Sequence, residues 1–115
     1  MFTVETLERV LREGLVGRGT TLRTGELNGT TQAYCDTNEY PTPIVVDPFR
    51  GGYIASTVHE LIHIKRRRQL GTWGRLEEAL VIALEMETMA LIDRDSERVK
   101  WWRAAIIEKL AKGGE

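Results

Sequence analysis

The sequence predicts an α+β fold, a small antiparallel or mixed β-sheet joined to four helices. Three observations carry this. All three prolines (Pro41, Pro43, Pro48) and seven of the eleven glycines fall before Tyr53, so the first half is rich in turns. From Tyr53 to Lys112 there is no proline, and glycine occurs only at Gly71 and Gly74, which leaves the second half free to be helical. Apolar residues recur at helical spacing in that half, while the first half holds short β-branched runs bounded by turn residues.

Thr3 to Glu13 reads as an opening helix, with Thr3 as N-cap, Val4, Leu7, Val10 and Leu11 as its stripe, and Gly14 as its end. Thr20–Leu27 and Thr30–Asp36 flank Asn28-Gly29, whose tolerance of positive φ predicts a hairpin between them. Ile44-Val45-Val46 is a β-branched run bracketed by Pro43 and Pro48, which suits an edge strand better than a central one. A helix follows from Ala55 to about Leu70, with Gly52 or Ser56 near its start and Gly71 as its stop. The next runs from about Trp73 to Asp93, and its centre, Ala79 to Leu84, is apolar all round and so predicted to be buried. The last begins near Asp95 or Ser96 and reaches Lys112, with Val99, Trp102, Ile106 and Leu110 on one stripe.

A length of 115 residues suits one domain, 1–115, because neither half could bury a core of its own. The chain is 42% hydrophobic and 29% charged, the balance of a folded protein. Sixteen basic residues against seventeen acidic ones give a net charge of −1, which argues against a bulk electrostatic grip on nucleic acid or anionic lipid. A single cysteine, Cys35, excludes an intrachain disulfide and cysteine-rich zinc frameworks and fits a reducing compartment. The start carries neither a basic n-region nor a long apolar h-region, and no apolar stretch is long enough to span a bilayer. The expected location is cytoplasmic.

Both histidines fall in His59-Glu60-Leu61-Ile62-His63, an H-E-x-x-H motif inside a predicted helix. Residues four apart lie one turn apart on the same face, so two imidazoles can converge on one metal ion. Zinc takes such nitrogens at about 2.0–2.1 Å in a tetrahedral arrangement. Glu60 stands one residue round the helix, where it would hang over an open coordination position and take a proton from bound water. A third protein ligand must then be an oxygen, since no further histidine exists and Cys35 is distant in sequence. Glu77, Glu78, Glu85 and Glu87 on the next helix are the candidates. Glu78, Ile82, Glu85, Met89 and Ile92 share a stripe. A histidine helix ending near Arg67 favours Glu78, and one reaching Leu70 favours Glu85; spacing leaves both open.

Strand, loop, H-E-x-x-H helix and following glutamate helix resemble the gluzincin branch of the zincin metallopeptidases in a minimal version. The segment Glu78-Ala79-Leu80-Val81-Ile82-Ala83-Leu84-Glu85 is similar to the E-A-N-x-F-A-x-E pattern of ImmA/IrrE-like metallopeptidases, with Leu80 and Ile82 standing where that pattern has asparagine and phenylalanine. Pro43 to Pro48 also resembles the stretch before the motif in small phage-borne zincin-like proteins. The likeness covers about residues 43–90. It implies Zn2+ held by His59, His63 and Glu78, with Glu60 as general base in hydrolysis of a peptide or protein substrate. It further implies that the substrate adds as a strand beside Ile44-Val45-Val46. Some gluzincins carry an acidic residue four places after the third ligand as a partner for histidine; here Ile82 occupies that place.

An oxyanion donor is expected too, with Tyr34, Tyr40 and Tyr53 as candidates, although each also reads as an ordinary amphipathic tyrosine. Lys65-Arg66-Arg67-Arg68 reads as a solvated helix end opposing the dipole rather than a nucleic-acid patch. Cys35 reads as a small packed thiol. Trp101-Trp102 mark the last helix as a candidate surface for a protein partner or a second copy, since adjacent helical residues face about 100° apart. The same helix supplies the alternative reading, a latent or inactive zincin-fold binding or regulatory protein whose last helix covers the cleft, with Glu108 or the tail near the metal.

Overall fold

Three strands order themselves by burial rather than by sequence. In the computed structural model, which describes residues 3–25, 33–35, 41–46, 52–70 and 75–113, β1 (Thr20–Thr24), β2 (Ala33–Cys35) and β3 (Thr42–Val46) form a mixed sheet in the order β1-β3-β2. β3 runs parallel to β1 and antiparallel to β2. The expected pairing of the first two strands is therefore overturned; the Asn28-Gly29 turn itself lies outside the described residues. The most apolar strand takes the centre, where Ile44 and Val46 are fully buried and both edges of its backbone are paired.

The edge placement expected for Ile44-Val45-Val46 fails for a reason of register. Thr42 donates its N–H to the Gly19 carbonyl at 2.8 Å, so alternate residues Thr42, Ile44 and Val46 turn their backbone groups toward β1 and Pro43 turns toward β2. Pro43 stands one position beyond the Cys35–Ile44 pair that ends β2. Its missing N–H thus breaks no ladder bond, and a central strand tolerates it. Gly25 closes β1 by donating to the Val46 carbonyl at 3.1 Å, and a Cβ there would fall 2.6 Å from Val45 Cγ1. Only glycine fits that approach.

Four helices complete the α+β fold: α1 (Val4–Val16), α2 (Tyr53–Leu70), α3 (Arg75–Asp93) and α4 (Ser96–Gly113). Thr3 caps α1 as its composition predicts, its Oγ1 accepting from the Thr6 N–H at 3.1 Å. The helix does not stop at Gly14. It runs on to Val16 because Leu15 continues the stripe of Leu7 and Leu11 into the core. Burying that leucine contributes about 1.5–3 kcal/mol, against roughly 1 kcal/mol for one helical glycine.

α2 starts at Gly52, whose φ of 81° belongs to the left-handed region and whose carbonyl accepts the first helical bond from Ser56. Val58, Leu61, Ile62 and Ile64 bury against the sheet and α1, leaving the face of His59 and His63 to α3. α3 departs from expectation. Of its apolar centre only Val81 is fully buried, whereas Ala79, Ile82 and Ala83 are exposed. Among the described residues no further layer covers the second face of this helix.

α4 is part of the core. Trp102 and Ile106 are fully buried from the predicted stripe, and α4 packs chiefly on β1, α1 and α3. Lys109 reaches across to donate to the Gly17 carbonyl at the end of α1, at 2.8 Å. Glu8, buried on α1, bonds Arg12 at 2.7 Å and lies 3.7 Å from Arg98 of α4, tying the first helix to the last. Trp102, fully buried, offers no surface to a partner, and Trp101 is half-buried beneath the Arg12 guanidinium, which stands 4.4 Å from its ring centroid. No helix among the described residues is long and apolar enough to cross a membrane.

Candidate metal centre

The H-E-x-x-H spacing does in the fold what helical geometry requires. His59 and His63 stand one turn apart on α2, ring centroids 4.9 Å apart, and their Nε2 atoms face each other at 3.2 Å. α3 runs back antiparallel to α2 and brings its glutamates to them. Glu78 spans both rings: Oε1 lies 3.0 Å from His59 Nε2 and Oε2 lies 3.0 Å from His63 Nε2. The three side chains form a group whose candidate ligand atoms all lie within 4.8 Å of one another.

Glu85 approaches from the other side. Its Oε1 accepts a hydrogen bond from His59 Nδ1 at 2.6 Å. An ionised carboxylate can only accept, so Nδ1 carries the hydrogen and the lone pair of a neutral ring is left on Nε2, toward Glu78 and His63. The two glutamates that spacing set as alternatives thus address opposite nitrogens of one imidazole. This pairing was missed as a reading of Glu85, although its signal was legible: Glu78 and Glu85 are two turns apart on one face.

Do these groups fit a metal ion? Ligands at about 2.0–2.1 Å from a tetrahedral zinc stand about 3.3 Å from each other. The Nε2–Nε2 distance of 3.2 Å comes close to that spacing, and each Nε2 has a different Glu78 oxygen at 3.0 Å, so one carboxylate reaches both rings. With the hydrogen on Nδ1 alone, the His59 Nε2 lone pair is open to a metal ion; with hydrogens on both nitrogens, the ring donates to Glu85 and Glu78 without one. The donor set of two imidazoles and one carboxylate suits zinc.

The remaining candidates separate cleanly. Glu60 is 8% exposed and makes no hydrogen bond or ion pair among the described residues, so its carboxylate is left to bond water. Glu87 is exposed on another face of α3, and the Glu77 side chain lies outside the described residues. Glu108 bonds Lys112 at 3.2 Å in solvent rather than joining the group. Tyr53 opens α2 and packs, half-buried, against the core. Tyr40 and the side chains of Tyr34, Cys35 and Arg66 to Arg68 lie outside the described residues, and Lys65 is exposed. A substrate strand cannot add beside Ile44-Val45-Val46, because β1 and β2 already occupy both edges of β3. No protein-family model, curated protein or solved structure matches this chain.

Proposed function

We propose that this chain is a zinc-dependent metallopeptidase of the gluzincin kind, hydrolysing peptide bonds with Glu60 as general base. One observation carries the reading: His59, His63 and Glu78 converge through Nε2, Nε2 and a carboxylate, with Glu85 holding the tautomer of His59. His59, His63 and Glu78 would hold the ion. When bound, zinc would polarise the substrate carbonyl and acidify water, chemistry that three such ligands leave a position free to perform. Glu60 takes the proton of the attacking water and returns it to the leaving amine, the role open to a largely buried carboxylate without a partner among the described residues. Glu85 keeps the His59 ring from turning, so Nε2 stays directed at the group.

The substrate backbone would pair along the outer edge of β2. Tyr34 pairs with Val45, so the backbone groups of Ala33 and Cys35 face away from β3, and no strand covers that edge among the described residues. β2 packs against α2, the helix that carries the motif.

Elemental analysis of the purified protein, followed by zinc titration and cleavage of a broad peptide library, tests the proposal. About one zinc per chain and cleavage that Glu60→Gln abolishes are expected. A protein that binds no zinc would remove the metal centre; one that binds zinc and cleaves nothing would leave a binding or regulatory role in place of the peptidase.

A further inference from the structure

β1 leaves one edge of its backbone open. The Thr42 N–H donates to the Gly19 carbonyl and the Gly25 N–H to the Val46 carbonyl, so Gly19, Thr21, Arg23 and Gly25 turn their backbone groups toward β3. Thr20, Leu22 and Thr24 turn theirs outward, and no strand pairs with that edge among the described residues. A cleft of about 240 Å³ lies there, lined by Arg18, Thr20, Thr21, Leu22, Lys109 and Lys112. Thr21 belongs to one face of the strand and Thr20 and Leu22 to the other, so the cleft opens on the edge itself.

The cleft is positive. Three of its six side chains are cations, Arg23 follows on the strand, and no aspartate or glutamate occurs from Val16 to Gly25. Arg18 and Arg23 make no ion pair among the described residues. Lys112 bonds the exposed Glu108 at 3.2 Å, and Lys109 gives one of its three hydrogens to the Gly17 carbonyl. Burial, and then the charge of Lys112, lower the Lys109 pKa, as for a cation short of counter-charge.

We propose that the outer edge of β1 takes an extended acidic segment of another protein, which adds to the sheet as a strand and sets its carboxylates against Arg18, Lys109 and Lys112. Charge and backbone together decide the occupant. An open strand edge offers N–H donors and C=O acceptors in turn, and a polypeptide satisfies both. A phosphate, free or in nucleic acid, would meet the donors and be repelled by the carbonyls. A second copy set edge to edge would bring the two cationic clusters together, and like charges oppose such pairing. None of the residues lining the cleft lies on α2 or α3, so the site is separate from the His59, His63 and Glu78 group and stands apart from the peptidase reading.

The test titrates the full chain into a fluorescent peptide of alternating glutamate and valine, read by polarisation. Binding that weakens as salt rises is expected. The lysine–valine counterpart, and the acidic peptide with every backbone nitrogen methylated, should each bind at least about tenfold more weakly. Arg18→Glu combined with Lys112→Glu, both exposed positions, should weaken the acidic peptide by at least about the same factor with the circular dichroism of the fold unchanged. No binding of the acidic peptide, equal binding of the lysine or methylated peptide, or an unaltered affinity in the double variant overturns the inference. Inorganic phosphate or a short DNA duplex that binds where the acidic peptide does not assigns the cleft to phosphate instead. A dimer in sedimentation that Thr24→Pro splits assigns the edge to a second copy.

Discussion

Glu85 holds His59 from behind: its Oε1 accepts from Nδ1 at 2.6 Å, while the opposite nitrogen of the same ring faces Glu78 at 3.0 Å. On the proposed reading the two carboxylates would have unequal parts in zinc binding. Glu85→Gln should weaken zinc affinity by roughly 10–100-fold, the usual effect of losing a partner behind a histidine ligand. Glu78→Ala should weaken it further, because it removes a proposed ligand. Competition with a chromogenic chelator measures both, and equal losses would contradict the assignment.

Glu60→Gln separates binding from chemistry. An amide of the same shape cannot accept the proton, so turnover should fall by roughly 10²–10⁴-fold, as expected for a lost general base. Zinc stoichiometry should stay at the wild-type value, read by elemental analysis on the same preparation.

Gly14 sits inside α1, where a Cβ would meet Leu61 Cδ2 at 3.8 Å, an ordinary contact. Gly14→Ala should therefore stabilise the protein by about 0.5–1 kcal/mol through helix propensity alone. Chemical denaturation resolves such a gain as a higher midpoint at unchanged slope.

Trp102 is fully buried, and its indole Nε1–H has no hydrogen-bond partner among the described residues. Trp102→Ala should cost about 3–5 kcal/mol, a large part of the stability of so small a domain. Trp102→Phe should cost roughly half of that or less, since it also removes the unsatisfied donor. Thermal melts of the two variants make the comparison.

Burial, with Lys112 as the lesser cause, lowers the pKa of Lys109 below its ordinary 10.5. The unfolded chain then holds that proton more tightly than the folded one, so stability gains as pH rises through the folded value toward 10.5. Lys109→Gln removes this gain. The melting temperature of wild type relative to the variant should therefore climb over that alkaline window; a constant difference would show that Lys109 titrates alike in both states.

Much of this arrangement was legible before folding. The four helices follow from apolar spacing, from a Thr3 cap and from a second half without proline, all of them local physics. The misreadings came where local signals met competing burial. Gly14 looked like a stop, but the leucine after it had a place in the core. Asn28-Gly29 pointed to a hairpin between neighbouring strands, yet the most apolar strand entered between them. The centre of α3 looked buried all round, but a chain this short has too few elements to enclose a helix.

The sequence by itself determined that two imidazoles would share a helix face with a glutamate beside them, because a spacing of four residues is a property of the helix alone. Which glutamate would answer which nitrogen was decided by the packing of α3 on α2, a relation between segments that no spacing within either one contains. It set Glu78 across both Nε2 atoms and Glu85 behind His59, turning two competing candidates into two parts of one arrangement.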